Sequence, residues 1–116
     1  MLCALILPLG IAGASAGASP VARSAAGCSK LQTPDFSGGY ALSTTVKGVG
    51  CGTVHGVEAG WETCRLKHGR KGVCHTKILG FTCHEKRMSS PVSIDATLAC
   101  KHGRKIIDYF YVQGLV

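Results

Sequence analysis

The stretch VSIDATLACKHGRKIIDYFYVQ, Val92 to Gln113, decides the fold. Its two arms alternate apolar and polar residues, and a glycine among basic residues separates them. Alternation of period two is what a half-buried strand requires, because successive side chains point to opposite faces. A two-residue turn at His102-Gly103 pairs Leu98 with Ile107, Ala96 with Tyr109 and Ile94 with Tyr111. That register gathers Ile94, Ala96, Leu98, Cys100, Ile107, Tyr109 and Tyr111 on one face, a coherent core surface. A slip of one residue sets Asp108 opposite Leu98 and breaks it.

Outward from this hairpin the same grammar continues. Eleven glycines from Gly38 to Gly103 punctuate runs rich in Val, Thr, Ile and aromatic residues. The runs read as strands at Tyr40–Lys47, Thr53–Glu58, Trp61–Lys67, Gly72–Leu79, Phe81–Glu85, Val92–Lys101 and Lys105–Gln113. No window keeps an apolar stripe at helical spacing for three turns. The expected fold is therefore mostly β: a small disulfide-stabilised antiparallel sheet, sandwich or barrel. Trp61 has two readings, an exposed anchor for sugar or membrane, or a residue buried beside a disulfide.

The ends and the cysteines place this fold outside the cell. Met1 to Ala18 holds no Lys, Arg, Asp or Glu, and Leu2 to Ile11 is nearly continuous apolar sequence ahead of small residues. This pattern is that of a signal peptide over residues 1–18, too short in its apolar run to span a bilayer. Residues 19–35, rich in Ala and Ser, read as a flexible arm, and residues 36–116 as the disulfide-rich β domain. The mature chain has no Asn, which excludes N-glycosylation, and no second long apolar run, so no stable transmembrane segment is expected. Export leaves six cysteines: Cys28, Cys51, Cys64, Cys74, Cys83 and Cys100. In an oxidising compartment they read as three disulfides, with the connectivity open. Symmetry about Gly69 favours Cys64 with Cys74 across a basic hairpin, with Cys51 and Cys83 as rival partners. The steps Cys74-His75 and Cys83-His84 hold zinc-type ligands, but their spacing fits no short zinc hook. No metal and no cofactor are expected.

Charge is the strongest functional signal. The formal net charge is +7, and all of it belongs to the mature chain. The word Lys-His-Gly-Arg-Lys occurs twice, at Lys67-His68-Gly69-Arg70-Lys71 and at Lys101-His102-Gly103-Arg104-Lys105. Two such turns on one end of a sheet form an anion-binding surface of Lys67, His68, Arg70, Lys71, Lys101, His102, Arg104 and Lys105. The alternative is that basic turns only keep the chain soluble. An anionic partner fits this field: acidic lipid, polysaccharide or nucleic acid, or a host or competitor protein. No aromatic pair interleaves with the basic run as a single-strand reader needs.

Catalytic motifs are scarce. A ribonuclease needs a base, an acid and a cation on the phosphate. Glu58 or Glu62 with His55, His102 and Arg65 supplies those types at a weak spacing. No serine-elbow, zinc-protease or phosphate-loop motif is present. No catalytic residue is assigned.

The signal peptide, the arm Ala18 to Arg23, six cysteines, basic charge and no catalytic motif together resemble the small cysteine-rich secreted proteins of fungi. That group includes plant-infection effectors, killer-toxin-like proteins and antifungal proteins. The resemblance is one of architecture and implies a monomeric, extracellular, non-enzymatic virulence effector or toxin that binds its target through surface loops. A secreted ribonuclease, active or inactive, and an antimicrobial protein acting on anionic membranes are the alternatives. The exported form should lack about eighteen residues and six hydrogens by intact mass, as signal peptides run 15–30 residues. Free thiols detected by alkylation without reduction overturn the three-disulfide reading.

Overall fold

A computed structural model describes residues 28–32 and 39–115. The signal-peptide segment and most of the proposed arm lie outside the described residues. Five strands and one helix follow in the order β1 (Leu31–Gln32), β2 (Tyr40–Lys47), α1 (Cys51–Leu66), β3 (Thr82–Ser89), β4 (Ser93–His102) and β5 (Lys105–Gly114). The strands form one antiparallel sheet in the order β1-β2-β5-β4-β3. The fold is mostly β, as expected, and its form is an open sheet with a helix on one face rather than a sandwich or a barrel. Among the described residues no helix is long and apolar enough to cross a membrane.

The hairpin of β4 and β5 has the expected buried face. Ile94, Ala96, Leu98, Cys100, Ile107, Tyr109 and Tyr111 are all buried. The pairing itself differs: Leu98 faces Tyr109, Ala96 faces Tyr111, and His102 faces Lys105. The two central turn residues are Gly103 and Arg104, not His102 and Gly103. Gly103 sits at φ 62°, where a tight hairpin turn needs its first central residue, and only glycine takes that conformation freely. Moving the turn by one residue shifts the pairing by two, so every side chain keeps its face.

The main correction is α1, which replaces the expected strands Thr53–Glu58 and Trp61–Lys67. Its buried positions are Val54, Val57, Glu58, Trp61, Glu62 and Arg65. Their spacing is helical, but half of them are ionisable, so no apolar stripe marks the helix in the sequence. The segment expected as a strand at Gly72–Leu79 is irregular and runs back along α1 to an isolated bridge between Ile78 and Phe81. It lies close: a Cβ on Gly60 would stand 2.7 Å from Ile78 Cγ2, and one on Gly56 would stand 3.2 Å from Leu79 Cδ1. These helix glycines lower helix propensity and permit that approach.

The N-terminal boundary also moves. Leu31 and Gln32 pair with Ala41 and Tyr40, and Cys28 is buried, so part of residues 19–35 belongs to the folded unit. The disulfides are Cys28–Cys51, Cys64–Cys74 and Cys83–Cys100. The first ties the β1 segment to the start of α1. The third links directly opposed residues of β3 and β4. The second joins the expected pair, but across the last turn of α1 and the returning segment rather than across a hairpin. Loop-closure entropy for its sequence separation of 10 gives about 2–3 kcal/mol. The double variant Cys64→Ala/Cys74→Ala should lose that much stability in urea unfolding and keep its strand content. An unchanged midpoint overturns the assignment.

Candidate functional site

The residues of the ribonuclease alternative do not form a site. Glu58, Glu62 and Arg65 are at most 1 % exposed, in the layer between α1 and the sheet. There they face the inner side of β5. Arg65 Nη2 donates to the Tyr111 hydroxyl at 2.9 Å, and Nη1 donates to the Arg70 carbonyl at 2.8 Å. The same hydroxyl donates to Glu62 Oε2 at 2.8 Å, and the Gln113 side-chain amide lies against it. Trp61 closes the cluster, buried with its ring edge-on to Tyr111 at 4.9 Å between centroids. His55 is elsewhere, its Nε2 2.8 Å from the Ser29 carbonyl. His102 stacks edge-on to Phe81 at the hairpin end, 5.4 Å between centroids. These groups build the core and hold loops.

The two basic words are exposed and lie at opposite ends of the sheet. Lys101, His102, Arg104 and Lys105 surround the β4–β5 turn, where β5 also pairs Ile106 with Lys47. Lys67, His68, Arg70 and Lys71 follow α1 at the other end, where the Arg70 guanidinium donates to the Leu115 carbonyl. The ten residues of β5 separate them by on the order of 30 Å. The expectation that both turns share one end is therefore corrected. Each word follows an element that ends at its own edge of the sheet. Arg70 is a partner of the core rim, since its backbone carbonyl also receives Arg65. His68 stands 6.0 Å from His75, ring to ring.

The exposed charge is basic, while the acids are buried or partly buried. Lys30, Lys47, Lys67, Arg70, Lys71, Lys77, Lys86, Lys101, Arg104 and Lys105 are exposed, ten of the twelve described Lys and Arg residues. None of the five described acids, Glu58, Glu62, Glu85, Asp95 and Asp108, is exposed. Glu85 is held by Arg87, whose guanidinium also donates to the Lys71 and Gly72 carbonyls at 2.9 and 3.0 Å. That clamp fixes the first basic loop against β3.

The face of the sheet away from α1 carries a second arrangement that the sequence reading did not single out. The strand register sets His84, Ala99 and Asp108 in one cross-strand row, and Lys86, Thr97 and Phe110 in the next. A bulge in β2 between Ser43 and Thr45 brings Thr44 to the same place. A cavity of about 380 Å³ there is lined by His84, Lys86, Thr97, Asp108 and Thr44, among others. A neighbouring cavity of about 340 Å³ is lined by Lys86, Met88, Asp95, Thr97 and Phe110. One signal was available: Cys83 and Cys100 are inward by virtue of their disulfide, so parity turns His84, Lys86 and Ala99 outward.

Comparison with known proteins finds no matching family model, no matching curated protein and no matching solved structure. Cys74 and Cys83, the possible zinc ligands, have their sulfurs in disulfides. Among the described residues no group of three or more His, Cys, Asp or Glu side chains converges as a metal site would.

Glu58 is the odd member of the core. Both carboxyl oxygens lack a hydrogen-bond partner among the described residues, and burial pushes its pKa up to about 7. Desolvation also raises Tyr109, whose hydroxyl is likewise unpartnered. The folded state thus prefers a protonated Glu58. Its contribution is fully present below the unfolded value of 4.5 and is lost as pH rises towards 7. The loss is roughly 3 kcal/mol at 1.4 kcal/mol per pH unit. Urea unfolding should show stability falling over that interval, and Glu58→Gln should remove most of the fall. Parallel pH profiles for parent and variant overturn this account.

Proposed function

We propose that this is a secreted, disulfide-stabilised, non-enzymatic binding protein of effector or toxin type, which holds an anionic target through its exposed lysines and arginines. The observation that carries the reading is the division of charge: ten exposed cations and no exposed acid among the described residues. A surface of one sign attracts polyanions over long range and speeds their encounter. Three disulfides in a small sheet suit a chain that works outside the cell. The resemblance in architecture to small cysteine-rich fungal secreted proteins supports the same reading, with a host or competitor molecule as target.

Because the basic words lie at opposite ends, they act as two contacts rather than one site. A compact anion engages one of them. An extended chain such as an acidic polysaccharide, or an anionic membrane surface, engages both, and linkage then raises overall affinity without new contacts.

Retention on immobilised heparin tests this. Elution should need progressively more salt for longer heparin chains, and affinity should fall log-linearly with salt by about one power per neutralised group. Lys67→Ser/Lys71→Ser and Arg104→Ser/Lys105→Ser should each lower the eluting salt, and the combined variant should not be retained. Arg70 is left in place because its guanidinium holds the chain end at Leu115. Equal elution of parent and combined variant overturns the reading, as does an affinity flat in salt. Cleavage of RNA by the purified parent overturns its non-enzymatic part.

A further inference from the structure

The sheet face away from α1 holds a concave region that the charged loops do not explain. Its two cavities share Lys86 and Thr97, so they form one groove with two chemically different compartments. One compartment holds His84 and Asp108. The other sets Met88, 74 % exposed, and Phe110 beside the carboxylate of Asp95. Lys86 stands where they meet. The exposed Met88 beside the ring of Phe110, with the exposed Leu42 opposite that ring, makes an apolar patch flanked by charged groups.

We infer that this groove binds a ribonucleotide unit, with its phosphate on Lys86 and His84, its sugar hydroxyls on Asp108 and its base against Phe110 and Met88. The chemistry selects each part in turn. An ammonium with a neighbouring imidazole N–H is a phosphate contact, and Lys101 and Lys47 extend the cationic side of the face along the next cross-strand row. Asp108, two strands from His84, would repel phosphate placed on it, but a carboxylate accepts hydrogen bonds well from vicinal hydroxyls. Phe110 and Met88 offer the apolar, polarisable contact that a flat ring takes on its faces. Asp95 beside them is acceptor only, so it selects a base that presents N–H donors at its edge. Adenine, guanine and cytosine carry an exocyclic amino group, whereas uracil presents carbonyls on either side of its single N–H. A fatty acyl chain alone fits the apolar compartment but has no donor for Asp95.

Calorimetric titration of the full disulfide-bonded protein with defined probes tests this. Guanosine or adenosine 5′-monophosphate should bind at least tenfold more tightly than inorganic phosphate and severalfold more tightly than the 2′-deoxy or uridine counterparts. Lys86→Ala should weaken binding tenfold or more, Asp95→Asn should erase the preference over uridine, and Lys67→Ala in the loop after α1 should change neither. A short single-stranded RNA in place of the mononucleotide separates the two sources of the same unit. Tighter binding of the strand with the same Lys86 dependence assigns the groove to RNA, and equal binding assigns it to free nucleotide. The inference is overturned if neither probe binds, if Lys86→Ala binds as the parent does, or if Lys67→Ala loses as much. Heparin retention without nucleotide binding overturns this inference alone and leaves the polyanion reading in place.

Discussion

A helix that turns Glu62 and Arg65 inward needs a surface that answers them, and the inner face of β5 does so. Tyr111 receives Arg65 and donates to Glu62, while Gln113 lies against the same hydroxyl. Removing a partner from such a network leaves a buried charge without compensation, which costs about 3–5 kcal/mol. The network also fixes register, because the helix can slide on the sheet only by breaking it. Trp61, packed edge-on between Tyr109 and Tyr111, adds area and sets the rotation of the helix about its axis.

The placement of the loops follows from that docking. Arg65 holds the Arg70 carbonyl, Arg70 holds Leu115, and Arg87 holds the carbonyls of Lys71 and Gly72. The first basic loop is thereby pinned to the end of the sheet where β5 finishes. The β4–β5 turn, bearing the second copy of the same word, lies where β5 begins. Once α1 takes two acids into the core and Arg87 engages a third, the charge left on the surface of the described residues is predominantly basic, with Asp95 and Asp108 partly exposed.

The cross-links reinforce the places where apolar packing is thin. α1 buries few large apolar residues and includes Gly52, Gly56 and Gly60, so packing alone holds it weakly. Cys51 fastens its start to the β1 segment, and Cys64 fastens its last turn to the returning segment. Cys83–Cys100 joins the edge strand β3 to its neighbour. With the helix and one edge secured, no described element covers the other face of the sheet.

Alternation alone determined much of the sheet. Tyr40–Lys47 is a strand with the expected bounds, the Val92–Gln113 hairpin exists, and all seven of its expected core residues are buried, because strand parity is local and survives a shift of register by two. The symmetric spacing of Cys64 and Cys74 about Gly69 also identified their pairing, since short separation limits which partners can meet. Four matters waited on the tertiary structure. α1 was illegible because Glu58, Glu62 and Arg65 occupy its buried stripe, and the hydroxyl of Tyr111, forty-six residues from Arg65, partners both Arg65 and Glu62. The turn at Gly103-Arg104 depends on a positive φ rather than on composition. The separation of the two basic words depends on where helix and strands end in space. The groove of His84, Lys86, Asp95 and Asp108 combines residues from three strands, and no spacing within one strand announces a neighbour brought alongside by hydrogen bonding.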